Sequence, residues 1–168
     1  AGKDSDRNTA VGRSTLYSIS SRGGKNVAIG DGAGAYVGDN SEVNVFIGFT
    51  SGPTSLRSFS NGIAIGANAE VSQNNYARIG SDTITEIGGA VAWTATSDRR
   101  VKKDIVESDL GLDFINRLRP VSYRRINGNG RLDYGFIAQE VERALDGRVT
   151  NMVTQDNDAR KTYQLRSA

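Results

Sequence analysis

The sequence predicts a mainly β N-terminal stalk or head over residues 1–92, followed by a small α+β domain over residues 93–168. The stalk is expected as a β-roll or a triple β-helix within an intertwined homotrimer. Three observations carry this expectation: an 18-residue repeat of short apolar strands closed by glycine, a break in composition near Thr96, and mixed helical and strand periodicities beyond the break.

The repeat is explicit. The segments NTAVG, NVAIG, NVFIG and GIAIG end at Gly12, Gly30, Gly48 and Gly66, at steps of 18 residues. The period then tightens, with YARIG ending at Gly80 and ITEIG ending at Gly88. Each unit reads as a short strand of alternating apolar character, such as Val27 and Ile29 or Val45 and Ile47, and its closing glycine lets the chain turn with positive φ. Strands this short are unstable alone and must stack on copies of themselves, within one chain or across several. With 7% aromatic residues, an isolated core looks thin, and a homotrimer that pools three apolar faces would repair it.

Composition marks the end of the repeats. The first 96 positions hold 15 of the 20 glycines and 15 charged residues, whereas the remaining 72 hold 25 charged residues, so a boundary is expected within Ala90–Asp98. Beyond it, SDLGLDFINRLRPVSY predicts a helix capped by Ser108, with Leu112, Ile115 and Leu118 on one stripe and Leu110 nearby, stopping before Pro120. VSYRRI and RLDYGFI, joined through NGNG at Asn127–Gly130, predict a β-hairpin. AQEVERAL, Ala138–Leu145, predicts a second helix with Val141 and Leu145 inward, and RVTNMVT a further strand.

Several functions are excluded. The chain has no cysteine, hence no disulfide or thiolate metal site, and no histidine, the usual neutral-pH base and the commonest metal ligand. No metal and no cofactor is expected. A net charge of +2, with basic and acidic residues interleaved, argues against nucleic acid, and no apolar run approaches the ~18 residues of a membrane span, so no membrane insertion is expected. GDGAG at Gly30–Gly34 lacks the lysine and the βαβ setting of a phosphate loop. An acyltransferase built on coils of this period would need a histidine base. The opening AGKDSDRN has no initiator methionine and reads as a piece of a longer protein.

The repeats from Asn8 to Gly88 resemble those in the heads and stalks of trimeric autotransporter adhesins and phage tail fibres. The charged half carries a more specific resemblance. SDRRVKKDI, a helix ending RLRPVSY, and YGFIAQEV stand in an order and at distances similar to those of the C-terminal intramolecular chaperone domain of phage endosialidases, tail spikes and neck appendages. Myelin regulatory factor looks similar in the same segment, and the likeness covers Trp93 to about Gln164. It implies a domain that helps its parent chain trimerise and fold, then cuts itself off before the serine of the SD pair, here at Thr96-Ser97. It also implies a long C-terminal helix where this sequence stops, at Ala168.

Without histidine, a serine nucleophile needs another proton acceptor. Lys102 lies five residues after Ser97, where the resemblance places the partner lysine. To act as base, a lysine must shed the proton held at a reference pKa of about 10.4, through desolvation or neighbouring positive charge. Arg99, Arg100 and Lys103 are candidate sources of that charge, and Asp98 a candidate to orient the hydroxyl or accept backbone N–H bonds. The plain alternative is that Ser97 and Asp98 cap a turn and the lysines form a solvated face. Gln139 and Glu140 are expected either to favour the positive end of the second helix or to contact a neighbouring subunit or the cleavage loop.

The expected function is therefore that of the distal part of a phage tail fibre or spike, made in the host cytoplasm and carried in the virion. Its C-terminal domain would act as an intramolecular, single-turnover serine endopeptidase, with Ser97, Lys102 and Asp98 as the catalytic set. The alternative is an adhesin-like module that binds a host-surface receptor or glycan, with a chaperone domain that does not cleave. Tyr17, Tyr36, Phe49, Phe59 and Tyr76 lie near the loops such a module would use.

Overall fold

The computed structural model describes residues 7–19, 22–155 and 163–165. The chain divides into two compact units, Ala1–Ile84 and Thr85–Ala168. Residues 82–109, which include the stretch where the composition changes, are exposed throughout.

The first unit is a β-solenoid. Strands β1 (Thr9–Val11), β2 (Val27–Ile29), β3 (Val45–Ile47), β4 (Ile63–Ile65) and β5 (Ala77–Ile79) form one parallel sheet in that order. The register follows the repeat: Thr9 pairs with Val27, Val27 with Val45 and Val45 with Ile63, each 18 residues on, and Ile63 with Ala77, 14 residues on. Stacking thus takes place within one chain, as a roll. The remaining sides of the coil meet through isolated parallel bridges, Gly24 with Glu42, Val37 with Arg57 and Gly52 with Glu70. The ITEIG segment forms no strand, so the repeat ends at Gly80.

The alternation within each strand runs opposite to a simple reading of the large residues. The middle residues Ala28, Phe46 and Ala64 are fully buried. Val27, Val45 and Ile63 are half-buried, while Ile29, Ile47 and Ile65 are exposed. A coil this narrow has room inside for one side chain per strand, and the β-branched pair points out. Phe46 replaces alanine in its repeat and is accommodated by glycine: a Cβ on Gly34 would lie 2.7 Å from the Phe46 ring. Phe59 completes the site edge-on, with ring centroids 6.1 Å apart at 80°. Phe59 therefore belongs to the core and half-buried Tyr76 packs against it, whereas Tyr17, Tyr36 and Phe49 are exposed.

The strand-closing glycines carry φ of 126°, 129°, 127° and 116° at Gly12, Gly30, Gly48 and Gly66. A Cβ on Gly30 would meet the backbone of Gly48 at 2.7 Å, so both conformation and close stacking require glycine there. At the other end of the first three strands stands an asparagine ladder, half-buried at Asn8 and buried at Asn26 and Asn44. Asn26 Nδ2 and backbone N donate to Asn8 Oδ1 at 3.0 and 2.9 Å, and Asn44 repeats the pattern on Asn26 Oδ1 at 2.9 and 3.0 Å. The ladder ends where Gly62 N donates to Asn44 Oδ1 at 2.7 Å.

The second unit holds helix α1 (Leu112–Arg117), the antiparallel hairpin β6 (Val121–Tyr123) and β7 (Asp133–Gly135), helix α2 (Ala138–Ala144), and the antiparallel pair β8 (Val153–Gln155) and β9 (Tyr163–Leu165). Its core is Phe114, Val141, Ala144 and Leu145, with Leu110, Leu118 and Val153 packed against it. The stripe of α1 is thus Leu110, Phe114 and Leu118, spaced by four, and Leu112 and Ile115 face outward, contrary to the sequence expectation. Ser108 does not cap the helix. Its Oγ accepts from Leu110 N at 3.2 Å, and the N-cap is Gly111.

Candidate functional site

The segment around Ser97 is built by one turn. Asp98, in extended conformation, is the N-cap of a single 3₁₀ turn over Arg99–Val101, and its Oδ1 accepts from Arg100 N at 2.8 Å. Backbone bonds from Val101 N to Asp98 O (3.2 Å) and from Lys102 N to Arg99 O (3.1 Å) complete the reversal. Extended chain would carry the fifth residue roughly 17 Å away. The turn instead brings Lys102 Nζ to 2.7 Å from Ser97 Oγ.

Ser97 and Lys102 are therefore brought together, both exposed in the single chain, with Thr96 exposed immediately before them. Asp98 is directed elsewhere: its carboxylate accepts from Arg100 Nε at 3.1 Å on each oxygen and from Arg100 Nη2 at 2.7 Å. That forked guanidinium, followed by the backbone N–H of the same residue, holds the Asp98 carboxyl below the usual carboxylate range. Arg100 is correspondingly engaged by Asp98, which leaves Arg99 and Lys103 as the neighbouring cations of the pair.

Glu140 lies in the first turn of α2, and its carboxylate receives Arg119 Nε at 3.1 Å and Nη2 at 2.5 Å. The hydrogen bond from Arg119 comes first among the causes that lower its pKa. The pair fastens the strand entering β6 to the start of α2, and Arg148 Nη2, donating to Asp109 at 2.8 Å, fastens the segment before α1 to the residues after α2. Gln139 is exposed on α2. Arg119 escaped the sequence reading, and Arg100 was read there only as a source of positive charge for Lys102, because an arginine's partner is specified by folding, not by spacing; only the short Asp98–Arg100 separation offered a signal.

Among the described residues no group of His, Cys, Asp and Glu is placed to hold a metal ion, and no helix is long and apolar enough to cross a membrane. Comparison with curated proteins gives no match, and neither does comparison with solved structures. A family model does match, described as chaperone of endosialidase, over residues 97–150. The match opens on the serine that Lys102 touches and runs through α1, the hairpin and α2. The segment from Ser97 to Thr150 is thus a domain of the chaperone of endosialidase family.

Proposed function

We propose that this chain is the distal part of a phage tail fibre or spike, made in the host cytoplasm and carried in the virion. In this reading the chaperone unit promotes assembly of a homotrimer and then severs itself from the solenoid between Thr96 and Ser97. The observation that carries the reading is the 2.7 Å contact between Lys102 Nζ and Ser97 Oγ, at the first residue of the family match.

The chemistry balances without a cofactor. Neutral Lys102 takes the hydroxyl proton as Ser97 Oγ attacks the carbonyl carbon of Thr96. The C–N bond of Thr96-Ser97 breaks, the Ser97 nitrogen receives the proton from Lys102, and Thr96 is left as an ester on Oγ. Water then hydrolyses the ester, giving a Thr96 carboxylate and restoring the Ser97 hydroxyl. A solvated ammonium cannot begin this sequence. Covering the exposed pair by neighbouring copies would favour the neutral amine, which ties cleavage to assembly.

The homotrimer reading is supported by the outward faces of the solenoid strands. Val11, Ile29, Ile47, Ile65 and Ile79 form a straight apolar row, 37–57% exposed, stacked by the same register that stacks the coils. A second copy presenting the same row is its natural cover. Light scattering tests this: a trimer is expected, and a clean monomer of 18.0 kDa at micromolar concentration would overturn it.

The host-binding reading also has a specific support. A cavity of about 330 Å³ opens on the solenoid between Tyr36, Thr50, Pro53, Thr54 and Asn68. It combines a half-exposed aromatic ring with hydroxyl and amide groups, the chemistry that recognises a neutral glycan. Glycan-array binding that Tyr36→Ala removes would favour this module; array silence would count against it.

A further inference from the structure

The 3₁₀ turn after Ser97 is held by a contact that none of the proton-transfer steps uses. The Asp98 carboxylate is clamped on both oxygens by the Arg100 guanidinium, and one of those oxygens also accepts the Arg100 backbone N–H. Neither side chain touches the Ser97 hydroxyl. What the clamp does is fix residues 98–101 in a tight reversal, and Lys102 is the first residue beyond it. The five-residue spacing from serine to lysine works only through this reversal.

We propose that Arg100, through its forked contact with Asp98, is a positioning residue for the Ser97–Lys102 pair. The inference rests on the serine–lysine reading above, but it assigns Arg100 a geometric role instead of the electrostatic one expected of a cation near Lys102. Planar guanidinium geometry is specific to this job. A lysine at position 100 keeps the charge but cannot grip both carboxylate oxygens and also follow the turn.

The test follows cleavage of the full chain by intact mass across a pH series, in wild type, Arg100→Ala, Asp98→Ala, the double variant and Arg100→Lys. A misplacement of about an ångström costs up to roughly 100-fold. Each single alanine variant is therefore expected to slow cleavage by about 10- to 100-fold at every pH, with the midpoint of the pH–rate profile unmoved. The double variant should be no slower than the worse single, because both remove one clamp. Arg100→Lys should recover only part of the rate. Wild-type rates in Arg100→Ala, additive losses in the double variant, or a shifted midpoint that Arg100→Lys fully restores would each overturn the proposal.

A second measurement does not depend on cleavage. In the uncut chain, nuclear Overhauser contacts between the Lys102 ε-methylene and the Ser97 β-protons are expected in wild type and expected to vanish in Arg100→Ala. Their persistence in that variant overturns the positioning role. Cleavage between residues 96 and 97 by a Ser97→Ala chain would instead defeat the serine mechanism, a distinct outcome.

Discussion

The two units solve the same problem of a small core in opposite ways. The solenoid buries little per coil but repeats it: Ala28, Phe46 and Ala64 from its strands join Leu16, Ala33, Val37, Phe59, Ala69 and Val71 from the turns between them, and the backbone is satisfied by the coil before and after. The C-terminal unit has no repeat to lean on. It closes on Phe114, Val141, Ala144 and Leu145, and fastens its elements with exposed ion pairs while Leu112, Ile115, Tyr134 and Phe136 stay open to solvent. The difference teaches that regularity supplies stability to the first unit along its axis, whereas the second relies on one small cluster and on ion pairs between its elements.

The sharpest way to break that comparison is to remove the largest buried side chain from the solenoid. Phe46→Ala empties a site shaped by Gly34 and Phe59, and a loss of about 3–5 kcal/mol is expected in thermal or denaturant unfolding. A loss below about 1 kcal/mol would mean that the neighbouring coils collapse into the gap.

The ladder comes next. Asn44→Ala leaves Gly62 N and the Phe59 carbonyl without their side-chain partner, while Asn26 Oδ1 keeps the backbone N–H of residue 44, and each of the two orphaned groups is expected to cost about 1–3 kcal/mol by denaturant titration. Asn8→Ala, at the half-buried end of the same ladder, should cost less.

Ile47→Asp probes the outward row. The fold of a single chain should change by about 0.5 kcal/mol or less, as for exposed positions generally, while the proposed trimer is expected to dissociate, read by light scattering. A trimer that survives would place the contact on another face.

The smallest effect is that of pH on the C-terminal unit. Asp98 and Glu140 both have depressed folded-state pKa values, through Arg100 and Arg119 respectively. Their contribution is present above the ordinary carboxylate range of about pH 4 and is lost as pH falls through their lowered values. Amide exchange at the start of α2 should be flat from pH 7 to 5, after correction for intrinsic rates, and rise in acid. Glu140→Gln should lose that acid-dependent part.

The repeat was legible because its physics is local: glycine at the turn and β-branched residues in the strand are readable at fixed spacing. Which side of the strand faces inward was not, since the large residues Val27 and Ile29 look like core and small Ala28 does not; only the width of the closed coil decides. For α1, the stripe read from the sequence, Leu112, Ile115 and Leu118, was right only at Leu118; tertiary packing in the C-terminal core turned Phe114 inward, beside Leu110 and Leu118, and left Leu112 and Ile115 outside. At the site, the Ser97–Lys102 pairing was readable from resemblance, while a turn capped by Asp98 was read only as the alternative to that pairing; the structure has both, the turn bringing the pair together. The engagement of Asp98 by Arg100 was not, because several cations lay within reach of one carboxylate.

The most direct test of the account is the intact mass of the chain after expression and purification as an assembled oligomer. Ser97 and Lys102 acting together predict two pieces, one ending at Thr96 and one beginning Ser97-Asp98. Ser97→Ala and Lys102→Met should stay whole, with rates lowered by about 10²–10⁴ where they are measurable, and Lys103→Met should cut at nearly the wild-type rate. Wild-type oligomers that remain whole for days, or a Ser97→Ala chain that still parts between residues 96 and 97, would contradict it.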